Sequence, residues 1–161
     1  MSKIAKLLVT YFSLSGNTKF VAEKVAEQLK ADLCEVVDKK FKKGKWLYLK
    51  GGGASIREKL TKIEVSKSIE DYDFVVVGSP IWGGKVSPAI RTILALTDFS
   101  DKKGAFFVTL TGDKPEKSLE NMRKTTGFSS VVKELAISKA LENREETEDK
   151  IVKWCDLIKK T

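Results

Sequence analysis

The sequence YFSLSGNT at residues 11–18 joins an apolar run at residues 4–9 to a helical pattern that begins at Thr18. A run of this length that is apolar except for Lys6 predicts a strand that is buried on both faces. Serine, glycine, asparagine and threonine favour the turn that follows, because their side chains or their backbone freedom support non-helical conformations. The chain is therefore expected to start with a strand, a tight turn and a helix.

This turn has two interpretations, and the turn alone does not separate them. N–H groups in the first turn of a helix lack an intrahelical partner, and together with the helix dipole they can hold a phosphate. Ser13, Ser15 and Thr18 would add hydroxyl donors, Gly16 permits a positive φ, and Asn17 can donate from its amide. The same residue types are also ordinary N-caps of helices that bind nothing. No lysine or arginine interrupts the turn, so a phosphate would be held by neutral donors.

Apolar runs and helical patterns alternate along the rest of the chain. Buried strands that are separated by helices imply a parallel sheet with right-handed crossovers. The predicted strands are Ile4–Tyr11, Leu33–Val37, Asp73–Gly78, Lys103–Leu110 and Ser129–Ser138. The predicted helices are Thr18–Ala31, Ser87–Leu96, Lys114–Thr125 and Glu142–Lys160.

The number and spacing of these strands also predict where a ligand would bind. Five strands in this alternation favour the doubly wound order 2-1-3-4-5, in which ligands bind beyond the strand C-termini between strands 1 and 3. The turn at residues 13–18 follows strand 1, and a second unusual loop at residues 79–85 follows strand 3. The two loops are thus predicted to meet at one site.

The composition narrows the possible chemistry. With 161 residues, the chain is expected to form one domain over residues 1–161. It contains no histidine, which excludes Ser-His-Asp catalysis, Cys-His catalysis and histidine metal sites. Cys34 and Cys155 are too few for a thiolate zinc site, and we expect both to be buried thiols. Redox chemistry in this chain would therefore need a bound organic cofactor.

The sequence also carries expectations about location. No apolar stretch approaches the length of a membrane span. The first residues lack the apolar segment of a signal peptide. We therefore expect a cytoplasmic protein without a membrane span.

Positive charge is concentrated in one part of the chain. The net charge is +8, and residues 38–68 contain ten Lys or Arg against three Asp or Glu, a local excess of +7. Segment 39–67 is long for a connection. It is either a solvated arm that packs through Trp46, Leu47, Tyr48 and Leu49, or a binding surface for an acidic protein partner or an anionic membrane surface. Nucleic-acid binding is not expected, because no recognised module accompanies these charges.

The second loop, GSPIWGGKVSP at residues 78–88, is unusual for a plain turn. A tryptophan between glycines is poorly placed to fill a core, whereas glycines beside an aromatic ring let the backbone approach a flat ligand closely. Together with the Ser-x-Ser-Gly-Asn-Thr turn, this loop closely resembles the flavodoxin-like family. The resemblance covers essentially the whole chain and implies a flavodoxin-like three-layer α/β sandwich with a five-stranded parallel sheet.

The resemblance further implies non-covalent FMN at the strand C-termini. Flavodoxins usually cover one flavin face with an aromatic residue from a third loop, and loop 109–114 of this chain contains none. Flavodoxins are also typically acidic, whereas this chain is basic. The phosphate loop of the family corresponds to Ser13, Leu14, Ser15, Gly16, Asn17 and Thr18, its first flavin loop to Pro80, Ile81, Trp82, Gly83 and Gly84, and its third loop to Thr111, Gly112 and Asp113.

Two redox functions follow from the resemblance. The chain is either an electron carrier that serves a redox partner protein or an NAD(P)H-dependent FMN enzyme that reduces quinones or similar small acceptors. A non-redox receiver domain of the same topology would need an acidic pair after strand 1 and an aspartate after strand 3, and the sequence has Tyr-Phe-Ser and Ser-Pro there. The sequence thus favours an FMN-binding electron-transfer protein and leaves carrier and enzyme open.

Overall fold

The structure is a computed structural model that describes residues 5–39, 61–112, 114–128 and 130–161. Most of the basic segment 39–67 therefore lies outside the described residues, as do Trp46, Tyr48 and Asp113. Each of the five predicted strands is present within the described ranges. The strands are β1 Leu7–Tyr11, β2 Asp32–Asp38, β3 Ile63–Val65, β4 Phe74–Trp82, β5 Lys85–Val86, β6 Lys103–Leu110 and β7 Ser130–Ser138.

The sheet has the predicted order with two additions. Five parallel strands follow the order β2-β1-β4-β6-β7, which is the predicted 2-1-3-4-5 arrangement. The predicted five-stranded parallel sheet is confirmed, and the described residues add two short antiparallel strands to it. β3 pairs antiparallel with the edge strand β2, and β5 pairs antiparallel with the end of β4. Both additional strands are short. Their pairing depends on a strand that is distant in the sequence or on a chain that folds back, so the pattern of apolar residues does not predict them.

Helices cover both faces of the sheet and form a three-layer sandwich. On one face, the helices at Asn17–Leu29 (α1) and Arg144–Lys159 (α4) pack through Val21, Val25, Ile151 and Trp154. On the other face, the remaining helices pack through residues such as Ile90. No helix in the described ranges is both long enough and apolar enough to span a membrane. The helices are α1 Asn17–Leu29, α2 Pro88–Leu96, α3 Pro115–Thr125 and α4 Arg144–Lys159, with one 3-10 turn at Ile69–Asp71.

The centre of the sheet is packed tightly where the site begins. In the register of the sheet, Gly78 lies between Tyr11 of β1 and Phe107 of β6. A Cβ atom on Gly78 would overlap the Phe107 ring, so the glycine is needed for this close approach. Cys34 and Cys155 are both buried free thiols, as predicted. The core thus fixes the C-terminal ends of β1, β4 and β6 relative to one another.

Candidate functional site

The loop after β1 is held by its own side chains. Gly16 has a φ of 101° and precedes the first residue of α1. Its N–H donates to Ser13 Oγ at 3.1 Å, and Asn17 Nδ2 donates to Ser15 Oγ at 3.1 Å. The N–H of Leu141, which follows β7, donates to Asn17 Oδ1 at 3.0 Å. These bonds fix the loop in a conformation that wraps around the start of α1.

The N-terminus of α1 lacks the capping that would explain the loop without a ligand. Gly16 at the N-cap position has no side chain, and no side-chain hydrogen bond caps the helix. No acidic residue lies in the first turn of α1. The first N–H groups of a helix are therefore left facing the loop, in the arrangement that favours an anion.

Thr18 connects this loop to the middle of the sheet. Its Oγ1 lies 2.8 Å from Oγ1 of Thr109, near the end of β6, and the side chain is only 1% exposed. Tyr11, the last residue of β1, is also buried, and this burial together with the nearby Glu35 carboxylate raises the pKa of its phenol to about 12. The side chains that join the loop to β6 are therefore the hydroxyl groups of Thr18 and Thr109.

The second stretch, which the sequence predicted as an unusual loop at residues 79–85, is a β-hairpin. β4 continues past Gly78 to Trp82, and Trp82 pairs with Lys85. Gly83 and Gly84 form the two-residue turn with φ values of 59° and 78°. Two successive positive φ values are typical of the hairpin turns whose twist matches the strands they join, which explains the two glycines.

Side chains from three directions anchor this hairpin. Ser79 Oγ lies 3.0 Å from Ser87 Oγ and accepts a bond from the Ser87 N–H at 3.1 Å. The Val86 N–H donates to Asn121 Oδ1 of α3 at 2.9 Å, and Arg91 Nη1 donates to the Val86 carbonyl at 2.7 Å. The base of the hairpin is thus fixed to both neighbouring helices, and its glycine tip projects beyond them.

Trp82 does not lie on the surface of the hairpin. It is 3% exposed and packs edge-to-face on Phe12, with the ring centroids 5.6 Å apart and an interplanar angle of 82°. The expectation that a glycine-flanked tryptophan is poorly placed to fill a core was wrong, because the hairpin turns the side chain inwards. Contact between Trp82 and a flavin ring stays a prediction.

The loop after β1, the end of β4 and the end of β6 together line one groove. Of the residues predicted for the phosphate loop, Ser15 and Asn17 line it, and of those predicted for the third loop, Thr111 does. Thr109 and Leu110 of β6 join them. From the predicted first flavin loop, the groove is lined by Pro80, Ile81 and Trp82.

A larger cavity of about 320 Å³ continues from this groove. The two share Ile81, Leu110 and Thr111. The cavity is also lined by Gly83, Gly84 and Gly112, which the sequence predicted, and by Lys114, Lys117 and Ser118, which were not predicted as site residues. Helical spacing places positions 114, 117 and 118 on one face at the start of the predicted helix, but the sequence does not show which loop that face meets.

Comparison with known proteins agrees with this architecture. A family model described as flavodoxin matches residues 6–158. An NAD(P)H dehydrogenase (quinone) of Archaeoglobus fulgidus is 29% identical over 99 residues, which are 58% of this chain and 52% of that protein. The chain thus spans about half the length of this relative.

Two solved structures illustrate the shared fold. The flavoprotein of Lactobacillus acidophilus in complex with FMN has a TM-score of 0.70 and 23% identity, over 86% of this chain and 97% of that one. The flavodoxin of Streptococcus pneumoniae TIGR4 has a TM-score of 0.61 and 16% identity, over 98% of this chain and 100% of that one. Because the family model matches almost the entire sequence, this chain belongs to the flavodoxin family.

Proposed function

We propose that this chain binds FMN without a covalent bond and transfers electrons through it. The observation that carries the proposal is the groove that joins the loop after β1 to the ends of β4 and β6. Bound FMN would supply the electron chemistry, and the protein would supply binding, orientation and electrostatics. The absence of histidine is compatible with this division, because this transfer needs no side chain as a general base.

The residues of the loop after β1 fit a phosphate group. Ser13, Ser15 and Thr18 offer hydroxyl groups, and the N-terminus of α1 offers backbone N–H groups without a side-chain cap. The first turn of α1 has no carboxylate that would repel an anion. We assign the phosphate of FMN to this loop, with Asn17 holding the loop closed through Ser15 and Leu141.

The groove and the hairpin fit a flat ring. Ile81 and Leu110 give the groove apolar walls, and Gly83 and Gly84 present backbone without side chains. Ring systems bind well between apolar side chains and closely approaching backbone. The FMN complex of the Lactobacillus acidophilus neighbour supports the same choice of cofactor.

A second candidate function is an NAD(P)H-dependent reductase of quinones or similar acceptors. Two observations favour it over a carrier for a partner protein. The described residues of loop 111–114 contain no aromatic side chain that would cover the ring, so one flavin face would stay open to a small molecule. The relative from Archaeoglobus fulgidus carries the name of such an enzyme. The carrier function is supported by the basic segment 39–67, which we propose as a docking site for an acidic partner.

Titration of FMN-free protein with FMN and with riboflavin tests the proposal. We expect saturable FMN binding with a shifted flavin spectrum, and weaker riboflavin binding because riboflavin lacks the phosphate. Absence of FMN binding would refute the proposal. Anaerobic mixing of the FMN-loaded protein with NADPH then separates the two functions, because rapid bleaching of the flavin absorbance is expected only for the reductase.

A further inference from the structure

A third cavity of about 180 Å³ lies on the outer side of the hairpin tip. It shares Gly83, Gly84 and Lys117 with the cavity beside the proposed flavin groove. Its remaining lining includes Lys124 and Glu120 of α3. The third cavity therefore adjoins the 320 Å³ cavity at the hairpin tip, and none of its lining residues belongs to the proposed phosphate loop.

Positive charge dominates this region. Lys85, Lys114, Lys117 and Lys124 line the two cavities around the hairpin tip, against a single carboxylate from Glu120 among their described residues. We call these four side chains the lysine edge. Glu120 forms an ion pair with Lys124 at 2.9 Å, so the region keeps a net positive charge.

Lys117 is the central member of the lysine edge. It lines both cavities, and its Cε lies 3.8 Å from the position that a Cβ on Gly84 would occupy. The side chain therefore extends from α3 across to the hairpin tip. The bond from the Val86 N–H to Asn121 Oδ1 keeps α3 beside the hairpin, so Lys117 stays within reach of the hairpin tip.

We propose that the lysine edge binds the anionic group of a small-molecule electron donor or acceptor while the rest of that molecule reaches the flavin groove. This inference rests on the proposed function and names the class of molecule that the site takes. Phosphates, sulfonates and carboxylates all match ammonium donors. The concave shape favours a small molecule, because protein docking surfaces are larger and flatter than cavities of this size.

Two anions with different sources serve as probes. NADP⁺ carries phosphates as a nicotinamide donor would, and anthraquinone-2-sulfonate carries one sulfonate as an anionic acceptor would. Neither reacts with oxidised FMN, so calorimetry on the FMN-loaded protein in about 0.1 M salt, where the Debye length is about 10 Å, measures binding at equilibrium. The double variant K117Q/K124Q removes two charges of the lysine edge.

Helix α4 offers a matched control, K150Q/K153Q. Lys150 pairs with Glu146 at 2.8 Å in the same i,i+4 spacing as Lys124 with Glu120. Each double variant thus removes two positive charges and one exposed ion pair. We expect K117Q/K124Q to weaken at least one probe by about tenfold and the control to change it by less than about twofold, because screening confines the effect to nearby charges. The arginine variant K117R/K124R should retain binding.

The outcomes separate this inference from the proposed function. Loss of affinity for NADP⁺ alone assigns the edge to a phosphate-bearing donor, and loss for the sulfonate alone assigns it to an anionic acceptor. Equal effects in both double variants, or no binding of either probe to the FMN-loaded wild type, would overturn the inference while leaving FMN binding intact. Loss of FMN affinity in K117Q/K124Q would also overturn it, because the lysines would then serve the cofactor. Failure of the wild type to bind FMN would instead refute the proposed function.

Discussion

The loop after β1 and the lysine edge lie at the same end of the sheet but offer different groups to an anion. The loop presents neutral hydroxyl and N–H donors, and its side chains are bonded to one another and to β6 through Thr18 and Thr109. The lysine edge presents charged ammonium groups on long side chains, most of them exposed. One region is internally bonded and neutral, and the other is exposed and charged.

This difference matches the difference between a resident ligand and a visiting one. Fixed donors at a helix N-terminus favour one anion in one position, because the geometry of each hydrogen bond is set before binding. Exposed ammonium groups attract many anions at long range and release them readily, because their contacts are screened and individually weak. The two regions thus correspond to the proposed cofactor phosphate and the proposed exchangeable partner.

Thr18→Ala is expected to have the largest effect on the neutral region. A hydrogen bond to a charged acceptor contributes about 1.5–3 kcal/mol, so FMN affinity should fall by about ten- to a hundredfold. Riboflavin affinity should change little, because riboflavin has no phosphate. Thr18→Ser, which keeps the hydroxyl group near Thr109, is the control and should retain FMN binding. Equal losses for FMN and riboflavin in titrations of Thr18→Ala would show that the phosphate is held elsewhere.

Lowering the pH should change ligand affinity at the loop after β1 but not at the lysine edge, and this effect is expected to be the second largest. The second pKa of a phosphate monoester is about 6, and the loop favours the dianion, so FMN affinity should fall by about tenfold between pH 7 and pH 5. Riboflavin affinity should stay level over this range. The affinity of anthraquinone-2-sulfonate should also stay level, because a sulfonate keeps its charge over this range. Parallel losses for FMN and riboflavin would point to a titrating protein group instead.

Gly84→Ala tests whether the hairpin tip requires its left-handed backbone. Gly84 has a φ of 78°, and the nearest atom to an added Cβ, Lys117 Cε at 3.8 Å, leaves room for it. The penalty should therefore come from the backbone and lower the free energy of unfolding by about 1 kcal/mol in urea. Gly112→Ala is the control, because nothing lies within 4 Å of its added Cβ. Equal stability of the two variants would contradict this interpretation of the turn.

Removing positive charge from the basic segment 39–67 should have the smallest effect on folding and on FMN affinity. Replacing Lys39, Lys40, Lys42 and Lys43 with glutamine should leave FMN affinity almost unchanged. Electron exchange with an acidic redox protein, followed by stopped-flow absorbance, should slow by a few-fold, and high salt should remove most of the difference. A loss of folding in this variant would make the segment structural and would remove the docking proposal.

Local sequence patterns predicted the five parallel strands. They missed the two short antiparallel strands, which depend on pairing with another strand. β6 has its predicted bounds of Lys103–Leu110, because a continuous apolar run gives a clear strand pattern. The end of β4 was mistaken for a loop, because Pro80 and two glycines are loop signals when read singly. The hairpin signal was nevertheless present, since Gly83 and Gly84 separate two short β-prone pairs.

In the candidate site, too, local features could be predicted from the sequence, whereas features that depend on tertiary packing could not. The loop after β1 was recognisable because phosphate-binding chemistry and helix-capping chemistry are local properties of consecutive residues. Lys117 was not recognised, because its position beside Gly84 depends on the packing of α3 against β5. The burial of Trp82 was also hidden, because only the hairpin turns its side chain towards Phe12.

A crystal structure of the FMN complex tests the contrast between the two regions most directly. Both regions can attract a phosphate, so FMN has two possible orientations in the groove. The account predicts that the phosphate oxygens lie within about 3.2 Å of the hydroxyl and N–H donors of residues 13–18, with the ring towards Gly83 and Gly84. A phosphate bound by Lys114 and Lys117, with the ring over the loop after β1, would contradict it.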